Sequence, residues 1–188
     1  MKLRASVPSL DPGDPANAFA AGEQSAKEHI RSLIADRLVR LDSAGTAEPM
    51  LAASWQRNED SSNWQFRLRP GVQWQDGSRV DGPSVAAALQ PALKGVTVTG
   101  SNLTVTFQAD HPLPDLLSSL AEARASVVLA GSDGSVLGSG AFRLTHWEAG
   151  RHAALAANEN YWAGRPFLDG IDVEMGRTAR EQIADFEL

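Results

Sequence analysis

The chain alternates short stretches of period-two hydrophobicity with stretches of helical spacing. Leu3 to Val7 is a short, partly apolar run closed by Pro8, and is predicted as a strand. Leu10-Asp11-Pro12-Gly13-Asp14-Pro15 follows as a turn, because two prolines oppose regular structure there. From Ala26 to Val39 the period changes: Ile30, Leu33, Ile34 and Leu38 recur at helical spacing between Lys27, Glu28, Arg31, Asp36 and Arg37. This predicts an amphipathic helix with one buried stripe. Ser43-Ala44-Gly45 is a polar turn, and Pro49 to Trp55 an apolar patch.

Trp64-Gln65-Phe66-Arg67-Leu68 alternates strictly and predicts a half-buried strand, closed by Pro70-Gly71. Val72-Gln73-Trp74 resumes the alternation before Asp76-Gly77. Asp81 then reads as the N-cap of a helix over Ser84 to Gln90, with Pro83 tolerated in the first turn and Pro91 at the end. Val96 to Thr99 and Leu103 to Phe107, around Gly100-Ser101-Asn102, form the clearest hairpin. A helix is predicted over Leu116 to Arg124 and a strand over Ser126 to Leu129. After the glycine-rich connector Gly131 to Gly140, Phe142 to Trp147 and Ala153 to Ala156 read as paired strands. Ile171 to Met175 reads as a further strand, and Thr178 to Leu188 as a helix. Hairpins mixed with helices point to an α+β or mixed α/β class rather than a regular βαβ array.

Composition narrows the picture without naming an activity. The chain has 188 residues, 43% hydrophobic and 21% charged, as in ordinary globular proteins. The net charge of −6 argues against a nucleic-acid face, which is normally basic. No run of about 18 apolar residues marks a membrane span. The start, Met1-Lys2-Leu3-Arg4, lacks the apolar core of a signal peptide. Cysteine is absent, which removes disulfides, zinc-thiolate sites and cysteine nucleophiles together.

Candidate chemistry is sparse. His29, His111, His146 and His152 show no metal-ligand spacing, and no nucleophile elbow or Walker-type loop is present. The connector Gly131 to Gly140 lacks the lysine of a phosphate cradle. Glu59 with Asp60, or Glu122 with Asp115, are the carboxylate pairs open to acid–base work; the first two are neighbours whose side chains diverge. No catalytic residue, cofactor or metal site is assigned. Five tryptophans stand against one tyrosine. Trp64 and Trp74 lie in alternating strands and are expected in the core, with one or two tryptophans open to a ligand cleft.

The order of motifs resembles the extracellular solute-binding proteins, family 5, that serve oligopeptide, dipeptide and nickel ABC importers. The matching elements are Ser9-Leu10-Asp11-Pro12, Leu38-Val39-Arg40-Leu41-Asp42, and Pro49-x-Leu51-Ala52-x-Ser54-Trp55. The most specific block runs from Phe66 to Gly77 (Phe66-Arg67-Leu68-Arg69-Pro70-Gly71-Val72-Gln73-Trp74-Gln75-Asp76-Gly77). Gly138-Ser139-Gly140-Ala141-Phe142 and the run from Asn158 through Tyr161-Trp162, Gly164-Arg165-Pro166 and Leu168-Asp169 to Ile171 complete the series. Ser139 and Ala141 depart from the family's usual Thr and Pro. Pro83-Ser84 replaces an acidic pair, implying an altered helix cap, and the stretch from Gln90 to Val96 is short.

The resemblance implies a periplasmic-binding-protein-like fold of type II. It implies the start of a first lobe over residues 1–48, a small β-rich subdomain over 49–137 and a return to the first lobe over 138–188. Family members are more than twice as long, so a truncated first lobe is expected, with half a ligand cleft. By position, Val7, Pro8 and Ser9 correspond to the first-strand edge that lines the ligand; Pro8 can offer only its carbonyl. The implied function is the substrate-binding component of an importer, with a peptide or related small solute as ligand and ABC permease subunits as partners. The implied location is periplasmic or extracellular, with a lipoprotein anchor possible and a leader replaced by Met1. An alternative under the same resemblance is the solute-sensing domain of a transcription regulator.

Overall fold

The structure, a computed structural model, describes residues 2–7, 28–130 and 136–175. Two four-stranded sheets with separate cores organise them. The first sheet has the order β1-β12-β11-β10. Strand β1 (Lys2–Val7) runs parallel to β12 (Gly170–Met175), with Lys2 opposite Gly170 and Val7 opposite Met175. Strand β11 (His152–Ala157) is antiparallel to β12 and to β10 (Phe142–Glu148), and the turn between β10 and β11 passes Gly150 at φ 69°. The helical residues 28–34, here α1, lay Ile30 and Ile34 on this sheet. With Phe142, Ala153, Leu155, Ile171 and Val173 they form the first core. Alternation sets its facing: Ala153, Leu155 and Ala157 are buried, whereas His152, Ala154 and Ala156 are half-buried.

The second sheet is fully antiparallel, in the order β4-β5-β7-β6, with β6 at an edge beside β7. Its strands are β4 (Ala52–Arg57), β5 (Asn63–Leu68), β6 (Thr97–Ser101) and β7 (Thr104–Gln108). As the alternation predicts, Trp64, Phe66 and Leu68 face inward and Gln65 and Arg67 outward. Phe66 meets Phe107 edge-on, ring centroids 5.2 Å apart, and lies beside Trp64 and Trp55. Trp64 and Trp74 are 5% and 3% exposed, so both belong to the core. Two short pairs complete the strands: β2 (Val39–Leu41) with β3 (Ala47–Pro49), and β8 (Val128–Ala130) with β9 (Val136–Gly138).

Helix α2 (Gly82–Leu89) covers the second sheet. Its cap is complete despite the unusual Pro83-Ser84: Asp81 Oδ1 accepts from the Ser84 amide, and Ser84 Oγ is 3.2 Å from the Asp81 amide. The helix presses on β6 so closely that a Cβ on Gly100 would stand 2.0 Å from the Gly82 carbonyl oxygen. The hairpin turn carries Asn102 at φ 50°, a conformation that asparagine tolerates.

Two helix expectations need correction. The helix expected over Ala26 to Val39 is described from residue 28 and ends at 34. Its next carbonyls are captured from elsewhere: Asp36 O accepts from Val127 N, Arg37 O from Leu51 N, and Leu38 O from Ala52 N. Leu38 and Val39 therefore enter the second core. The helix expected over Leu116 to Arg124 is only α3 (Leu116–Leu120), followed by a 3₁₀ turn at Ala123–Ala125. As expected, α2 ends before Pro91, which falls inside a 3₁₀ turn at Gln90–Ala92. The expected turn at Leu10 to Pro15, the helix at Thr178 to Leu188 and residues 131–135 of the connector lie outside the described residues.

Candidate functional site at the carboxyl edge of the first sheet

Two parallel strands end side by side at Val7 and Met175. In open sheets with parallel strands, ligands sit beyond the carboxyl ends, where the backbone stops pairing. Of the three edge residues expected from sequence, Val7 ends β1 at this rim, while Pro8 and Ser9 lie outside the described residues. The rim continues across the sheet. The Met175 amide donates to Arg151 O at 2.8 Å, and His152 stands opposite both Glu174 and Glu148. Arg151 Nη1 is 2.7 Å from Glu148 Oε1. The His146 and His152 rings lie 5.7 Å apart, and His152 Nε2 is 3.5 Å from Asp172 Oδ1. The rim is thus polar and of mixed charge, suited to hydrogen bonding and ion pairing with a polar solute. Among the described residues no group of three His, Cys, Asp or Glu side chains is placed to hold a metal.

The other sequence candidates do not assemble into a site. Asp60 Oδ1 accepts from Ser62 N and Oγ in a surface turn, which lowers its pKa. Glu122 pairs with Arg124 at 2.7 Å. His111 Nδ1 is 2.7 Å from Asp110 Oδ1. Of the glycine-rich connector, Gly138 and Gly140 serve packing: a Cβ on Gly138 would lie 1.8 Å from the Ile34 carbonyl oxygen.

Sequence reading missed Asp36, which the fold makes a hub. It is 2% exposed. Its Oδ1 accepts from Tyr161 Oη at 3.0 Å, and its Oδ2 from Trp162 Nε1 at 2.7 Å and Ser139 Oγ at 3.1 Å. Burial pushes its pKa up, opposed by the bonds from Trp162, Tyr161 and Ser139. Burial, with the adjacent Asp36 charge, likewise raises the Tyr161 phenol. Around the hub, Gln75 Nε2 donates to Ile34 O and Phe142 O, and Gly140 N donates to Ile34 O. Arg69 covers Trp162 with its guanidinium 4.6 Å from the ring centroid and donates from Nε to Met50 O. The hub therefore clamps the turn after α1, the entry to β10 and the loop after β11 where the two cores meet. The signal for it was an acid inside an apolar run, Leu33-Ile34-Ala35-Asp36; its partners lie more than a hundred residues away.

The family model for bacterial extracellular solute-binding proteins, family 5 Middle, matches residues 46–187. The chain belongs to this family. It is 21% identical over 169 residues to the nickel-binding protein NikA of Staphylococcus aureus, covering 81% of this chain and 34% of the relative. It is 24% identical over 159 residues to the probable D,D-dipeptide-binding periplasmic protein DdpA of Escherichia coli, covering 71% and 31%. The crystal structure of a nickel ABC transporter protein from Bacillus halodurans superposes with a TM-score of 0.80 at 24% identity, over 99% of this chain and 41% of that one. The mixed helix-and-sheet architecture is thus that of family 5 binding proteins, in part. The chain spans about a third of the length of these curated relatives. For the family 5 chain, the Asp36 hub is a scaffold element and the Val7–Met175 rim is its candidate ligand edge.

Proposed function

We propose that this chain captures a small polar solute, a peptide or a metal chelate, as part of the substrate-binding component of an ABC importer, and passes it to permease subunits. The observation that carries this reading is the family match across residues 46–187. The adjoining carboxyl ends of β1 and β12, where a ligand would sit, support it. In this reading Val7, Pro8 and Ser9 line the ligand, the rim residues His152 and Arg151 meet its polar groups, and the chain performs no catalysis. The protein works in the periplasm or outside the cell; among the described residues no helix is long and apolar enough to cross a membrane. Residues 1–48 and 138–188 are read as belonging to the first lobe, and residues 49–137 as the small subdomain. The first core, built from residues 30–35 and 142–175, supports that division, while Leu38 and Val39 cross it to join the second core.

Uptake measurements test the reading. Deleting the coding sequence should abolish accumulation of one labelled solute class, from a panel of di- and oligopeptides and nickel–histidine, and complementation should restore it. Unchanged uptake of the whole panel, or recovery of the protein from the cytosol, would overturn it.

A further inference from the structure

The outward face of the second sheet carries polar side chains in cross-strand rows. Ser54, Arg67, Thr104 and Ser101 lie side by side across β4, β5, β7 and β6. The next row begins with Gln56 and Gln65, whose side chains meet on this face: Gln56 Nε2 donates to Gln65 Oε1 at 3.0 Å. Neither row holds an acid. A cavity of about 280 Å³ opens over β4, β5 and β7 at these rows, and no Asp or Glu lines it. Small-molecule sites run to roughly 300–1,000 Å³, so this dish suits one charged head group rather than a whole solute.

Arg67 is the one charged residue of the lining, and it is positive in a chain of net charge −6. Arg40, Arg124, Arg151 and Arg165 each hold a carboxylate. Arg67 holds none: among the described residues no hydrogen bond or ion pair engages its guanidinium, Ser54 Oγ or Thr104 Oγ1. Along the β4–β5 hairpin the acids are Glu59 and Asp60, in the turn before Asn63. At about 3.3 Å per residue, Asn63 is already about 13 Å from Arg67. Residues directly opposite on antiparallel strands have Cβ atoms about 4.5–5.5 Å apart. Ser54 and Thr104 both stand directly opposite Arg67, so a hydroxyl flanks the guanidinium stem on either side.

We propose that this dish is a second binding site, for a tetrahedral oxyanion: a phosphate, free or as a monoester. The planar Arg67 fork takes two of its oxygens, as guanidinium groups do with phosphates. The Ser54 and Thr104 hydroxyls reach the others from the two sides. A planar carboxylate fills the fork and leaves both hydroxyls unused. The site lies on the second sheet, whereas the Val7–Met175 rim belongs to the first, and it is independent of the solute proposed there.

The test is a titration of the ¹⁵N-labelled chain with inorganic phosphate, glycerol 3-phosphate, acetate and chloride at constant ionic strength, read by amide shifts. Phosphate should move the Ser54, Gln65, Arg67 and Thr104 amides saturably. Acetate should bind about fivefold more weakly, as expected when hydroxyl hydrogen bonds are lost. Arg67→Gln should lose about fivefold for both anions, as expected of an exposed ion pair. The double variant Ser54→Ala/Thr104→Val should lose about fivefold for phosphate and nothing for acetate. The phosphate-to-acetate ratio on the unaltered chain does not depend on any variant folding. Tighter binding of glycerol 3-phosphate than of phosphate makes a monoester the source, and equal or weaker binding makes it the free ion; both support the site. Equal affinity for phosphate and acetate, the same shifts with chloride, full phosphate affinity in Arg67→Gln, or no saturable shifts at these amides would each overturn the proposal. Loss of solute uptake bears only on the first-sheet edge, so the two readings fail separately.

Discussion

The two sheets of this chain are built on different principles. The second sheet buries one face: Trp64, Phe66, Leu68, Val105 and Phe107 fill it, α2 covers it, and the other face is polar. The first sheet buries mostly small and β-branched residues under α1, such as Ala153, Ile171 and Val173, and its other face stays half-exposed with His152, Asp172 and Glu174. Large aromatic side chains bury more apolar area per residue, so the second sheet supplies most of the hydrophobic stabilisation. The first sheet instead ends its parallel strands side by side at a polar rim. One region is packed around aromatic side chains; the other keeps polar groups on its outer face. Between them sits Asp36, a buried charge that aligns the two more than it stabilises either.

The sharpest way to break this contrast is Phe66→Ala. Phe66 is fully buried among three aromatic neighbours, and its truncation should cost about 3–5 kcal/mol by urea denaturation. If the second sheet is the main source of stability, the loss should appear as global unfolding, with amides of both sheets exchanging together. Gly138→Val should come next. Its Cβ would collide with the Ile34 backbone, and overpacking of this kind costs about 1–3 kcal/mol. The damage should centre on the α1–β10 junction in a hydrogen-exchange map and spare β5 and β7.

Asp36→Asn probes the alignment itself. The amide nitrogen would face donors that now point at a carboxylate, at a cost of about 1–3 kcal/mol at neutral pH. The pH dependence has a defined sign. The folded pKa is raised above the ordinary 3.8, so the folded chain binds this proton more tightly than the unfolded chain. The contribution of Asp36 to stability therefore falls as pH rises from 3.8 through the raised folded value, and returns on acidification. The stability gap between the unaltered chain and Asp36→Asn should widen as pH drops through that window. A gap that narrows would exclude burial as the dominant influence.

Asp81→Ala is the mildest test and carries the opposite sign. Removing this N-cap should cost about 1 kcal/mol. The Asp81 pKa is lowered by its bonds with Ser84, so its contribution is present above the ordinary carboxylate value and is lost as pH falls through the lowered folded value. Urea midpoints of the variant and the unaltered chain should therefore converge in acid.

Most of the second sheet was legible because its signals are local; β4 was not, since Ala52 to Trp55 read only as the end of an apolar patch. Trp64-Gln65-Phe66-Arg67-Leu68 shows its facing residue by residue, Gly100-Ser101-Asn102 marks a hairpin whose turn falls at Asn102-Leu103 while Gly100 and Ser101 pair within β6, and Asp81 with Ser84 caps a helix within four positions. The end of α1 was not legible. Periodicity carries the helix on to Leu38, yet the carbonyls of Asp36, Arg37 and Leu38 pair with Val127, Leu51 and Ala52, and those pairings outweigh a further helical turn. Gly138 looked like loop composition and proved to be a contact with Ile34. At the ligand edge the strand end at Val7 was readable from Leu3 to Val7. Its neighbours Met175, Arg151 and His152 were not, because strand order is invisible to a local pattern.

By itself, then, the sequence determined the alternating strands β5, β7, β10, β11 and β12, and which family the motif order resembles, since period, turn chemistry and motif spacing act over a few residues; the short strands β2, β3 and β9 and the edge strand β4 were not among them. The tertiary structure alone decided that β1 pairs with β12, that a helix stops early so that Leu38 can change cores, and that Asp36 meets Ser139, Tyr161 and Trp162. These depend on pairings between residues far apart in the chain. Their free energy is gained only when the whole fold brings the partners together.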